Sequence, residues 1–314
     1  MRGNKILIVG AGAVGGYFGA HLCRFGHDVT FLVRPQTLLT IAKDGLSVIS
    51  PLGNFTVHPP LIQIASQINS ADLIILAVKC TNLQETLDAI APLVQSGAIV
   101  LTLQNGVDSE ERILSYFNNQ SCVISGVAYI TARLAAPGQI EHYRRGTITI
   151  GEISCEKTDR VQKIHAWISQ AGIPCHLTDT IQKEKWEKLC WNATFNPLSV
   201  ILKHPLSFIL RSEHLLEIVR EGITEIIAIA SAEGFTLDPE IIEKTISVTH
   251  SLKDYYTSMY EDYKNKKPTE IEHINGDIIR RGEKYGIATP INKTLYSLVK
   301  GIEYKQSADI ELLC

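Results

Sequence analysis

Near its N-terminus the chain runs Ile6-Leu7-Ile8-Val9 and then Gly10-Ala11-Gly12-Ala13-Val14-Gly15. A short apolar strand that opens through G-x-G-x-x-G into a helix is the entrance of a dinucleotide-binding fold. In that geometry Gly10 permits the tight turn and Gly12 lets the backbone approach a pyrophosphate. Gly15 lets the helix pack close to the strand. The helix N-terminus then presents unpaired N–H groups and a positive dipole end to phosphates. Gly10, Ala11, Gly12, Ala13, Val14 and Gly15 are therefore read as a cofactor-binding turn, with Ala20-His21-Leu22 carrying the helix to a stop at Gly26. Arg2 and Lys5 ahead of an apolar stretch also outline a secretory signal, but glycines at 10, 12, 15, 16 and 19 are too many for a helical h-region.

The second strand, Val29-Thr30-Phe31-Leu32-Val33, ends at Arg34. An NAD-preferring fold places Asp or Glu there, about 20 residues past the glycines, to bind the ribose 2′-hydroxyl. A guanidinium instead suits a forked, charge-assisted contact with a 2′-phosphate, which points to NADPH/NADP+.

Strand and helix patterns alternate through the first half. Leu73–Val78 reads as a doubly buried strand ending at Lys79, and Leu83, Leu87, Ile90 and Val94 repeat at helical spacing. Ala98–Leu103 is the next strand, ending at Gln104-Asn105-Gly106. Ligands of doubly wound sheets lie beyond the carboxyl ends of strands, so Lys79 and Asn105 fall on the cofactor side. Further strands are expected at 123–128, 138–142, 147–151 and 173–177, with a helix over 156–171. From Asp179 helical periodicity takes over, with segments near 180–201, 212–233, 239–248, 252–265, 269–286 and 291–303. The reading is an α/β Rossmann-type doubly wound domain over 1–179, followed by an all-helical domain over 180–314.

A formal net charge of −3 gives no sign of a nucleic-acid or membrane surface, and no apolar run reaches the roughly 18 residues of a membrane span. Seven cysteines at 23, 80, 122, 155, 175, 190 and 314, without C-x-x-C spacing, read as reduced thiols in a cytoplasmic protein. No metal-ligand spacing stands out among the histidines.

In the first helix of the second domain Lys188, Asn192 and Asn196 are four apart and share one face. Asparagine is a poor interior helix residue, so two of them in line with a lysine ask for a reason. Pro197 should kink or end the helix there and expose backbone polar groups to a ligand. The same lysine also belongs to a mixed charge run, Lys183 to Lys188, which is the usual signature of a solvated face, with Glu184–Lys188 a ready helical pair. Likewise Glu270 could merely serve the first turn of a helix capped by Thr269.

Taken together, Gly10–Gly16, Val78-Lys79, Gln104-Asn105-Gly106, Trp186–Leu189, Asn196-Pro197, Thr269–Gly276 and Gly286–Pro290 resemble ketopantoate reductases along nearly the whole chain. The resemblance implies NADPH-dependent reduction of a small 2-keto acid, 2-dehydropantoate, to pantoate on the way to pantothenate and coenzyme A. It assigns Lys188 as the catalytic proton donor to the ketone oxygen and Glu270 as the active-site glutamate. Asn192 and Asn196 would bind substrate, Ser258 its carboxylate, and Asn105 would lie beside nicotinamide and substrate. Lys79 and Arg34 would serve the cofactor. The site is expected in an interdomain cleft and needs no metal. The helical domain could supply a homodimer face, though no stripe marks one. One departure is Tyr255, where many family members carry asparagine three residues before the serine matching Ser258.

Two other readings share some of these features. A β-hydroxyacid dehydrogenase would also use the glycine fingerprint and a lysine followed four residues later by asparagine, but not Arg34 or the Glu270 segment. A non-catalytic NADP-binding regulator would have no use for Lys188, Asn192 and Glu270 together.

Overall fold

The computed structural model describes residues 4–118, 122–252 and 254–311, so Arg2 and Cys314 lie outside the described residues. By its internal contacts the chain forms two compact units. The first is Met1–Gln104 with Ser109–Ile181, and the second is Asn105–Asp108 with Gln182–Cys314.

The first unit opens with β1 (Lys5–Val9), α1 (Ala13–Arg24), β2 (Asp28–Leu32) and α2 (Pro35–Asp44). Three short strands follow: β3 (Leu46–Ile49), β4 (Phe55–Val57) and β5 (Leu61–Ile62). Then come β6 (Leu73–Leu76), α3 (Leu83–Gln95), β7 (Ile99–Thr102) and α4 (Ser109–Phe117). A long hairpin of β8 (Val123–Ala136) and β9 (Gln139–Gly151), α5 (Asp159–Gln170) and β10 (Cys175–Leu177) complete it.

The strands form one sheet in the order β4-β3-β9-β8-β7-β6-β1-β2-β5, with β10 also paired to β9. β1 is parallel to both β2 and β6, so the chain leaves β1 to one side and later returns to the other. That reversal is the topological switch point at which such sheets bind ligands. Continuous apolar runs suit these strands because both faces are covered. Ile6, Ile8, Leu73 and Ile75 enter one core with Phe18 and Leu22 of α1 and Val161 and Ile168 of α5. Leu7, Val9, Ile74 and Leu76 enter the other with Leu87 and Ile90 of α3 and Ile113 of α4. Each fully buried Leu or Ile contributes about 1.5–3 kcal/mol.

Two strand expectations change. The segments expected at 123–128, 138–142 and 147–151 are two long antiparallel strands. Register shifts at Tyr129/Ile130, Thr131/Ala132 and Leu134/Ala136 interrupt the period-two pattern and hide their continuity. Strands β3, β4 and β5, two to four residues each, are too short to show a period and exist through pairing to β9, to each other and to β2.

The second unit is helical: α6 (Ile181–Leu202, its first residue still in the first unit), α7 (Leu206–Leu210), α8 (Glu213–Ala232) and α9 (Ile241–His250). These are followed by α10 (Ser258–Lys264), α11 (Ile271–Tyr285) and α12 (Pro290–Glu311). Trp186, Phe195, Val219, Ile226, Ile274 and Val299 are among the side chains of its core. The helix expected over 252–265 is confined to Ser258–Lys264, where Thr257 Oγ1 accepts from Tyr260 N–H at 3.2 Å and caps it. Lys253 lies outside the described residues.

The helix does not end at Pro197. Helix α6 runs through it unbroken to Leu202. Proline lacks the N–H that would bond the carbonyl four residues back, at Ala193. Asn275 of α11 supplies that donor from outside, its Nδ2 lying 2.8 Å from Ala193 O. The freed carbonyl is thus satisfied within the fold rather than offered to a ligand.

Among the described residues no helix is long and apolar enough to cross a membrane, and no group of three or more His, Cys, Asp or Glu could hold a metal ion.

Candidate active site

In the first unit the glycine turn lies at the switch point. Gly10 has φ +98°, a region that L side chains avoid. A Cβ on Gly15 would lie 2.1 Å from Gly10 O and 2.9 Å from the Ala77 side chain just past β6, so only glycine lets α1 start this close. A Cβ on Gly12 would meet nothing within 4 Å. Gly12 is the N-cap of α1, makes no side-chain cap, and no acid occupies the first turn. The result is an open cradle of unpaired amides without competing negative charge, which fits the pyrophosphate of a dinucleotide.

Arg34 is the N-cap of α2, directly after β2. It is exposed, and its guanidinium makes no hydrogen bond or ion pair with the described residues. It is therefore available for a 2′-phosphate. Lys79, half-buried, follows β6 and leads a single 3₁₀ turn over Cys80–Asn82.

The second unit gathers the polar side chains of α6 and α11 around Asn105. Lys188 Nζ donates to Asn105 Oδ1 at 3.0 Å. Asn105 Nδ2 donates in turn to Glu270 Oε2 at 3.1 Å. Asn192 Nδ2 stands 3.5 Å from the same Asn105 Oδ1. Asn192 and Asn196 are only 5% and 1% exposed, and Asn196 Oδ1 has no hydrogen-bond partner among the described residues. An orphaned buried acceptor costs roughly 1–3 kcal/mol, a penalty that a ligand donor would relieve.

Burial, with the Lys185 charge adding to it, brings the Lys188 ammonium down from 10.5 to about 8, while Glu270 pulls the other way. Lys185 itself is buried, at 3% exposure. The charge run of residues 183–188 is therefore not a uniformly solvated face. Its spacing carries no signal that separates Lys185 from its neighbours, because only the packed fold decides which lysine is enclosed.

Glu270 is the N-cap of α11 rather than a first-turn residue, and it makes no side-chain cap. Thr269 Oγ1 accepts from Ile271 N–H at 3.3 Å and donates to Glu303 at 2.7 Å. Ser258 is exposed at the start of α10, and its side chain makes no hydrogen bond to the Lys188–Asn105–Glu270 group. Tyr255 is half-buried, and the Tyr256 and Tyr260 rings stack at 4.3 Å. The indole N–H of Trp191 is committed to Thr249 Oγ1 at 2.9 Å.

A glycine cradle at a switch point and a partly desolvated lysine held by an amide and a carboxylate define a class: dinucleotide-binding enzymes of two units, the second helical. Residues 6–154 match the family described as Ketopantoate reductase PanE/ApbA, and residues 180–303 match its C-terminal family, Ketopantoate reductase PanE/ApbA C terminal. The chain belongs to the ketopantoate reductase family. It is 31% identical over 311 residues to a 2-dehydropantoate 2-reductase of Nostoc sp., covering 96% of each chain. A crystal structure of 2-dehydropantoate 2-reductase from Geobacter metallireducens superposes with a TM-score of 0.90 at 34% identity, over 95% of this chain and 99% of that one. A D-mandelate dehydrogenase solved with NADH and anilino(oxo)acetate superposes equally well, with a TM-score of 0.90 at 31% identity, over 96% and 99% of the two chains.

Proposed function

We propose that this protein reduces 2-dehydropantoate to pantoate with NADPH. The observation that carries the reading is the Lys188–Asn105–Glu270 chain, at 3.0 and 3.1 Å, with the lysine brought down to about 8. An ammonium with a pKa near the working pH is mostly protonated yet gives up its proton readily, as a general acid should. When bound, NADPH supplies the hydride.

The first unit would hold the cofactor through the cradle at Gly10–Gly15 and through Arg34, with Lys79 beside it. In the second unit Lys188 places its proton on the ketone oxygen and stabilises the developing alkoxide. Asn105 Oδ1 aims the ammonium, and Glu270 fixes the rotamer of Asn105 through the amide N–H. Asn192 Nδ2 would donate to a substrate oxygen, and the unpartnered Asn196 Oδ1 would accept from a substrate hydroxyl. Ser258 is assigned to the substrate carboxylate on the family resemblance alone. The six described cysteines are all free thiols, which supports a reducing, cytoplasmic setting.

A second substrate class is favoured by one observation: half-buried Tyr255 stands where many family members have asparagine, and a close structural neighbour was solved with an aryl-substituted keto acid analogue. Steady-state assays with NADPH and NADH, on ketopantoate beside an aryl 2-keto acid, decide between them. Ketopantoate turnover with NADPH should fall by roughly 10²–10⁴-fold in Lys188→Ala. Arg34→Ala should raise KM for NADPH by about 10–100-fold and leave KM for NADH nearly unchanged. Turnover of the aryl acid alone would move the substrate and keep the lysine. Wild-type-like rates in Lys188→Ala would overturn the mechanism.

A further inference from the structure

The four residues Asn105–Asp108 lie between β7 and α4 in the chain, yet by their contacts they belong to the helical unit. Three of them touch α11 or its cap. Asn105 Nδ2 donates to Glu270 Oε2 at 3.1 Å. Gly106, at φ +85°, packs so closely that a Cβ would lie 2.9 Å from His273 O. Asp108 Oδ2 meets His273 Nδ1 at 3.3 Å, with side-chain exposures of only 10% and 17%. The fourth, Val107, is buried in the helical core.

We infer that the Asp108–His273 pair is the anchor that holds Asn105 between Lys188 and Glu270, so that both are positioning residues for the lysine. The inference rests on the proposed reductase reading for its consequence in turnover, but its geometry is independent of the substrate. His273 lies three residues after Glu270, so both ends of the 105–108 segment are tied to the same turn of α11. Without the anchor, the 105–108 segment loses its side-chain tie at the end opposite Asn105. A displacement of about 1 Å at a catalytic group can cost roughly 100-fold.

The charges around the pair are those of its own neighbours. Asp277, one turn further along α11, has its carboxyl raised by burial and by Asp108, with Arg281 and Arg280 opposing. Arg281 is held in turn by Asp277 at 2.8 Å and by Glu233 of α8 at 2.9 Å. Around Lys188 the charges are Lys185 on its own helix and Glu270 at the head of α11.

The test uses the full chain with Asp108→Ala, His273→Ala, the double variant and the conservative Asp108→Asn, all checked by thermal melting. The first two should each lower kcat by about 10–100-fold while KM for NADPH holds. The double variant should be no worse than either single one, and Asp108→Asn should recover most of the rate. A second readout needs no turnover: the pH dependence of amine labelling at Lys188, followed by mass spectrometry. Its midpoint should drop below the wild-type value in Asp108→Ala, because the ammonium loses the Asn105 acceptor. Additive losses, or an unmoved labelling midpoint with unmoved kcat, would overturn the anchor. Absence of wild-type turnover with a shifted midpoint would sink the substrate reading and leave the anchor standing.

Discussion

At the scale of single residues, Lys188 combines two opposed demands. Its burial weakens the ammonium enough to release a proton, and the same burial opposes folding. In the folded chain the lysine titrates at about 8 against 10.5 when unfolded, so between those values the unfolded chain binds more protons. Stability therefore rises with pH across that window, and the cost of the charge is fully present below pH 8. Activity runs the other way, because the protonated form is the acid: kcat should fall as pH rises through about 8. A kcat–pH profile and a melting series on Lys188→Met check both at once. The variant should lose turnover and gain stability, by about 2–4 °C in Tm for each kcal/mol recovered. A Tm unchanged at pH 7 and pH 10 would show that the lysine is not desolvated.

Among the elements, α6 and α11 depend on each other through Pro197. The proline leaves Ala193 O without its helical donor, and Asn275 answers it at 2.8 Å while also donating to Asn292 Oδ1 at 3.0 Å. Asn292 donates onward to Gly222 O and to Glu225, which itself accepts from the N–H groups of Ile291 and Asn292 at the start of α12. The pairing is not complete, since the buried Asn275 Oδ1 has no hydrogen-bond partner among the described residues, but removing the Asn275 amide would orphan further groups. Asn275→Ala should cost about 2–4 kcal/mol in urea unfolding, as it orphans a carbonyl and an amide. Adding Pro197→Ala restores a backbone N–H for Ala193 O, so the double variant should recover part of that loss. Strict additivity of the two changes would refute the link. The spacing of Lys188, Asn192 and Asn196 was legible as one helical face, but the continuity of the helix past Pro197 was not. It depends on a side chain some 80 residues away in sequence, at position 275.

For the molecule as a whole, each unit has its own core, and their sensitivities to pH differ. The first unit packs an imidazole cluster in which the Tyr17 ring lies 4.6 Å from His21 and 4.5 Å from His142, with Phe55 against His21. Burial, then Arg24 and His142, bring His21 down to about 4, and burial lowers His142 as well. His21 therefore stays neutral in the folded unit between about pH 4 and 6.5, where the unfolded chain takes up protons. Stability of the first unit should therefore be intact above about pH 6.5 and fall as pH drops towards 4. Trp167 lies in this core, so its fluorescence in a Trp186→Phe, Trp191→Phe background reports it alone. The unfolding midpoint should fall between pH 7 and pH 5, and His21→Gln should flatten that dependence. An equal slope in both backgrounds would remove the imidazole from the account.

The sequence alone determined what rests on local chemistry: the glycine turn after an apolar strand, a guanidinium in place of an acid at the end of β2, and the 3.6-residue periodicity of the second half. Those features act over a few residues, so short-range spacing is enough to read them. The tertiary structure alone decided which members of the 183–188 charge run are enclosed and that β8 and β9 are single long strands. It also decided that Glu270 faces Asn105 and that residues 105–108 are bound to α11. Each of these depends on partners brought together from distant parts of the chain, where burial and pairing, not propensity, set the energy.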